Sequence, residues 1–245
     1  MKRTARIVAA CLLIGGLSVV GSPAYAGPSA SNGGSSAPGY NAIPASVKGN
    51  VPSIGFQATQ TTEFGDAVAL SGANRTLSTV TVLFSSWACE SGDWTSGDCA
   101  TTPGATFDVP MTFTIYDSAK AVLVTQTQTV AVTYRPSASA QCIGVDAGKW
   151  YNASDKTCYN GFPQAITMAM DRTTLTDTVI WSVKYPTFNT SGVSGPADSL
   201  NVGVFSFPNA PFSGTDLNAD EVFRNGAMEA DWTGYRPLGA ITTVK

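Results

Sequence analysis

The feature that most constrains this chain is a two-residue alternation of apolar and hydroxyl side chains, repeated in run after run. Segment 77–84 sets Leu77, Thr79, Thr81 and Leu83 on one side and Val80, Val82 and Phe84 on the other. Segment 110–116 alternates Met111, Phe113 and Ile115 with threonines. Successive side chains of an extended strand point to opposite faces, so such runs predict half-buried strands. The same reading takes in 54–58, 66–71, the long run 121–134, 165–170, 179–185, 199–207 and 238–244. No stretch of 12 or more residues carries the 3.6-residue apolar period of an amphipathic helix, and one helical turn is expected at 218–223. Nine or ten short strands divided by Gly, Pro, Asp and Asn turns predict an all-β, antiparallel two-sheet sandwich with very little helix. A jelly-roll-like sandwich is expected first and a closed barrel second. No internal repeat is visible, so residues 40–245 read as a single domain.

The chain's beginning predicts where it goes. Lys2, Arg3 and Arg6 precede an apolar run over 7–20, and Ala24-Tyr25-Ala26 has the small-x-small form of a cleavage site. This is the layout of a secretory signal peptide over 1–26, cleaved near Ala26/Gly27, and it implies secretion. The apolar run is short for a membrane span. Val8-Ala9-Ala10-Cys11 offers a lipobox as the rival, but Leu12, Leu13, Ile14 and Leu17 continue the apolar run past Cys11, where a lipobox would close it. Residues 27–39, rich in Gly, Ser, Ala and Pro, read as a flexible spacer.

Cleavage would remove three of the 14 Lys and Arg and none of the 17 Asp and Glu, leaving a mildly acidic chain without a basic cluster. That argues against nucleic acid or an anionic membrane as partner. The chain has no histidine, which excludes His-based triads and imidazole metal ligands. Cys89, Cys99, Cys142 and Cys158 remain, an even set that reads as two disulfides in an exported chain. Three connectivities are open. Cys89–Cys99 with Cys142–Cys158 is favoured, because each pair brackets a short polar loop, worth about 3 kcal/mol per closure. The spacing, without a C-x-x-C pair, speaks against zinc.

Several motifs carry a resemblance. They are Glu63-Phe64-Gly65-Asp66-x-Val68-x-Leu70-x-Gly72-x-x-Arg75-x-Leu77-x-x-Val80, Ser85-Ser86-Trp87-x-Cys89-Glu90-Ser91-Gly92 and Tyr134-Arg135-Pro136-Ser137. Thr157-Cys158-Tyr159-Asn160-Gly161-Phe162, Asp198-Ser199-Leu200-Asn201-Val202 and Gly214-Thr215-Asp216 complete the set. Together they resemble an uncharacterised family of bacterial secreted β-sandwich domains, over about residues 40 to 223. The first motif also resembles surface domains that precede anchoring tails, although no tail anchor is visible here. The resemblance implies export and a sandwich fold, and it brings no activity, cofactor or catalytic residue.

Three constellations could carry chemistry. Glu63 and Asp66, with Asp198, form a candidate structural calcium site, since loops at the ends of a sandwich can offer the six to eight oxygens Ca²⁺ takes. The plainer reading is that Asp66 and Asp198 accept turn N–H groups, or that an acid pairs with Arg75. Glu90, Asp93, Asp98, Asp220 and Glu221 supply carboxylates for a glycan-active hydrolase, which would need two of them converging in a cleft with one pKa raised by burial. Trp94, Trp150, Tyr151 and Tyr159 lie in or beside the bracketed loops and form a candidate aromatic platform for a carbohydrate or a protein. Against it, Trp87, Trp150 and Trp181 read equally well as core. No Gly-x-Ser-x-Gly elbow and no Ser–Lys motif is present, and no catalytic residue is assigned. The expectation is a non-enzymatic surface or matrix-associated binding module; a purely structural extracellular protein and a hydrolase are the alternatives.

Overall fold

The computed structural model describes residues 36–192, 194–206, 210–232 and 234–245. The predicted signal peptide, Cys11 and spacer residues 27–35 lie outside the described residues. The described residues form sixteen strands: β1 (Ala37–Asn41), β2 (Ser53–Gly55), β3 (Phe64–Ala69), β4 (Thr76–Ser86), β5 (Thr106–Asp117), β6 (Val122–Thr133), β7 (Trp150–Asn152), β8 (Thr157–Tyr159), β9 (Phe162–Ala169), β10 (Thr178–Lys184), β11 (Leu200–Ser206), β12 (Thr215–Asp216), β13 (Val222–Arg224), β14 (Ala227–Glu229), β15 (Tyr235–Pro237) and β16 (Gly239–Val244). The count exceeds the nine or ten expected because the additional strands are short. A strand of two or three residues has no room to display alternation.

Two antiparallel seven-stranded sheets face each other, as the alternation requires. The first runs β1-β16-β4-β11-β15, with β2 on β11 and β9 on the other side of β4. The second runs β14-β13-β3-β10-β5-β6, with β12 also on β3. β7 and β8 make a separate hairpin. Between β3 and β4, β4 and β5, β6 and β9, β9 and β10, and β10 and β11, the chain crosses from one sheet to the other. That is the behaviour of a jelly-roll-like sandwich.

β5 shows the cause most plainly. Phe107, Val109, Met111, Phe113 and Ile115 are all buried, while Thr106, Asp108 and Pro110 between them are exposed. Val80, Val82 and Phe84 of β4 answer from the facing sheet. Trp181 of β10 reaches right across: a Cβ at Gly239 of β16 would run into its indole. Glycine is required there because nothing larger lets the sheets approach. Full removal of such a ring costs about 3–5 kcal/mol.

Three expectations need correction. Leu83 lies on the side of β4 expected to be open, yet it is 3% exposed. The segment before β2 covers that end of the strand, with Asn50 Oδ1 accepting from Ser85 Oγ (2.8 Å). Second, 218–223 is a turn leading into β13 rather than a helical turn, because Val222 and Phe223 pair with β14 and β3. Third, β1 takes in Ala37, Pro38 and Gly39, which were read as spacer; pairing with β16 orders them. Among the described residues, no helix is long and apolar enough to cross a membrane.

Candidate functional site: the disulfide-stapled end

β4 leaves its sheet through Trp87 and Ala88 and enters a loop closed by the Cys89–Cys99 disulfide. A second loop is closed by Cys142–Cys158. Both pairings are those favoured from the sequence, and disulfides are compatible with an oxidising compartment. The loops are bound to each other through segment 135–139, which follows β6: Arg135 N–H donates to Ala88 C=O (2.9 Å), Ala138 N–H to Cys99 C=O (2.8 Å), and Ser139 N–H to Lys149 C=O (2.9 Å). Gly97 and Gly148, at φ 73° and 83°, touch backbone to backbone, so a side chain on either would force the loops apart.

The first loop is held by its own acids. Glu90 Oε2 accepts the Thr102 N–H (2.6 Å), Asp93 Oδ1 the Thr95 N–H (2.7 Å), and Asp98 Oδ1 the Asp93 N–H (2.8 Å). These bonds favour the ionised form, so those from Thr102 pull Glu90, and those from Thr95 pull Asp93, below the usual carboxylate range. The carboxyl that is pushed up is Asp66, by burial first and then by the negative charge of Asp216; it sits in the core, in no cleft.

The four platform aromatics do not share one face. Trp150 opposes Tyr159 in the β7–β8 hairpin, and Tyr151 opposes Cys158, so Tyr151 points to the opposite side. Trp150 is buried: its Nε1 donates to Gly161 C=O (2.9 Å), and its ring lies 5.5 Å from Tyr159 and 5.6 Å from Phe162. It belongs to the packing under the hairpin. Trp94 is half-buried and stands edge-on to Trp87, with ring centroids 4.6 Å apart. Tyr151 and Tyr159 are also half-buried.

The candidate calcium ligands are likewise separated. Glu63 and Asp66 are three residues apart along an extended segment, and an odd spacing sends side chains to opposite faces. Glu63, on the outer face, accepts from Tyr116 Oη and Ser182 Oγ (2.6 Å each) and pairs with Lys184 (3.1 Å). Asp66 points between the sheets, beside Asp216 and Arg236. Asp198 closes another loop, taking the N–H groups of Phe188 (2.5 Å) and Gly195 (3.2 Å). No group of three or more His, Cys, Asp or Glu side chains among the described residues is placed to hold a metal. Arg75 pairs with Asp177 (2.8 Å) and donates to Gly72 C=O (2.8 Å), which accounts for the Gly72-x-x-Arg75 motif as a turn lock.

Two features of this end had no place in the sequence argument. Ile143 and Val145, at the tip of the second loop, are 77% and 95% exposed. The signal for them was two aliphatic residues inside a loop of Gly, Asp and Lys. The other is Arg135, which is fully buried; Nη2 donates to Gly148 C=O (2.9 Å), while Nε and Nη1 have no partner among the described residues. Elsewhere, an open groove of about 260 Å³ lies between the start of β5 and residues 186–198, lined by Phe107, Pro110, Pro186, Pro196 and Asp198.

No protein-family profile, curated protein or solved structure matches this chain.

Proposed function

We propose that this chain is a secreted, non-enzymatic binding module that docks a protein partner with its disulfide-stapled end. The observation that carries the reading is the exposure of Ile143 (77%) and Val145 (95%) on a loop that is itself held rigid. Exposed apolar side chains set close together on one loop, rather than scattered singly, are a mark of a contact surface. The disulfides, the Gly97–Gly148 contact and the acid-bonded first loop fix the backbone beforehand, which lowers the ordering cost of binding. Half-exposed Trp94 and Tyr151 add the flat, few-rotamer side chains that suit an interface.

A second reading, carbohydrate binding, is favoured by Trp94 alone, whose ring is held edge-on by Trp87 as a sugar-stacking face would be. One experiment separates the two. The secreted protein, I143S/V145S and W94A/Y151A are compared on arrays of extracellular proteins and of glycans. Protein binding weakened about tenfold or more by I143S/V145S supports the proposal. Glycan binding lost only in W94A/Y151A replaces it with the carbohydrate reading. Binding to neither array leaves a structural extracellular protein. Secretion itself is read by N-terminal sequencing of protein from the medium, which should begin near Gly27.

A further inference from the structure

We propose that two copies of this chain pair through strand β6 about a two-fold axis at Thr127, joining their second sheets into one. β6 is the outermost strand of that sheet; among the described residues β5 alone pairs with it as a strand, while β9 passes beside its 131–133 end and the Asp171 N–H donates to Gln126 Oε1 (3.1 Å). It runs twelve residues, VLVTQTQTVAVT, without a charge or a proline. Soluble proteins normally blunt such an edge, because its free N–H and C=O groups invite another strand. The other outer strands here are short or blunted, β2 and β12 having three and two residues. β1 has Pro38 and a break in register, β9 has Pro163, β14 is three residues with Glu229, and β15 carries Arg236 and Pro237.

The direction of the free groups follows from Gln164. Its Oε1 accepts the Thr133 N–H (2.8 Å) and its Nε2 donates to Ala131 C=O (3.4 Å), from the side away from β5. Backbone groups alternate between the two edges of a strand, so odd-numbered residues turn theirs outward. Thr125, Thr127 and Thr129 therefore present N–H and C=O at the open edge, and all three side chains are exposed. Thr125 and Thr127 are already set in place by hydroxyl bonds to Thr114 (3.0 Å) and Thr112 (2.7 Å).

The occupant is identified by the sequence of the strand. Residues 124–130, Val-Thr-Gln-Thr-Gln-Thr-Val, read the same in both directions, and Val122 and Val132 extend the match across the single mismatch of Leu123 with Ala131. An antiparallel pair of identical strands centred on Thr127 sets Thr125 opposite Thr129 of the partner subunit and Gln126 opposite Gln128 of the partner subunit. Every cross-strand pair over 124–130 is then like with like and uncharged, and each outward threonine exchanges both backbone groups. Such an interface uses the same patch on both copies and closes on itself, so it stops at two. Because Tyr134 and Arg135 follow the end of β6, the two stapled ends point in opposite directions, each free for a ligand.

Sedimentation velocity over a concentration series, with near-UV circular dichroism as the check on folding, tests the pairing. The wild-type chain should approach twice its monomer mass as concentration rises. T127K sets two ammonium groups face to face across the axis and should raise the dissociation constant about 100-fold or more. T127P removes an N–H that points away from β5, a position where an outer strand tolerates proline, and should do the same. Mixing T127K with T127E should restore a mixed dimer. A wild-type chain that stays monomeric throughout overturns the proposal, as does a T127K or T127P chain that pairs like the wild type.

Discussion

Two arginines are buried among the described residues, and their surroundings differ. Arg236 of β15, 6% exposed, reaches across the sandwich to Asp216 of β12 at 2.6 Å. Arg135, at the stapled end, is fully buried with one carbonyl as its hydrogen-bond partner, and no carboxylate among the described residues pairs with it. Burial lowers its guanidinium only to about 10, so it stays a cation at neutral pH. Between the sheets, charge is matched where it is buried. At the stapled end a charge is carried without compensation, a cost that structural packing alone would not select.

The largest test of this contrast is Arg236→Met. It leaves Asp216, whose side chain is 4% exposed, as an unpaired buried carboxylate close to Asp66. Denaturant titration should show a loss of about 3–5 kcal/mol, and the double variant R236M/D216L should recover most of it. A loss under about 1 kcal/mol would mean that the pair is not what holds this region.

The next effect is smaller and depends on pH. Burial, then the Asp216 charge, holds the Asp66 carboxyl well above its usual range. The folded state therefore keeps a proton that the unfolded chain gives up. The stability this group contributes is full below the unfolded value of about 3.9 and is lost as pH rises toward the folded value, at up to about 1.4 kcal/mol per unit. Asp66→Asn removes that slope, so the variant should gain on the wild type as pH rises above about 4. A gap between the two that stays constant over that range would show that Asp66 does not carry the proton.

How much of this could be read from the sequence follows from what alternation can encode. β5, β6, β4 and β10 were legible because runs of seven residues or more display which face is buried. Pairs β7–β8 and β13–β14 were not, since three residues establish no period. The disulfides followed from loop lengths. The calcium and platform readings both grouped residues by closeness in sequence, whereas a strand separates neighbours. Glu63 from Asp66, and Trp150 from Tyr151, are parted by that rule alone. Asp216 and Arg236 are twenty residues apart on facing sheets, a meeting set by topology rather than by any local pattern.

The smallest expected effect sharpens the contrast most, because it repeats the first substitution at the other site. Arg135→Met keeps a long unbranched side chain and gives up one hydrogen bond to Gly148, worth about 1 kcal/mol. Against that loss it removes a buried cation whose desolvation costs several kcal/mol and whose Nε and Nη1 have no partner among the described residues. The net change should lie within about 1 kcal/mol of the wild type, or favour the variant, by the same denaturant titration. The two arginines, given the same replacement, should thus respond in opposite ways. Should R135M lose as much as R236M, the guanidinium at the stapled end must be compensated after all, and the two regions would be built alike.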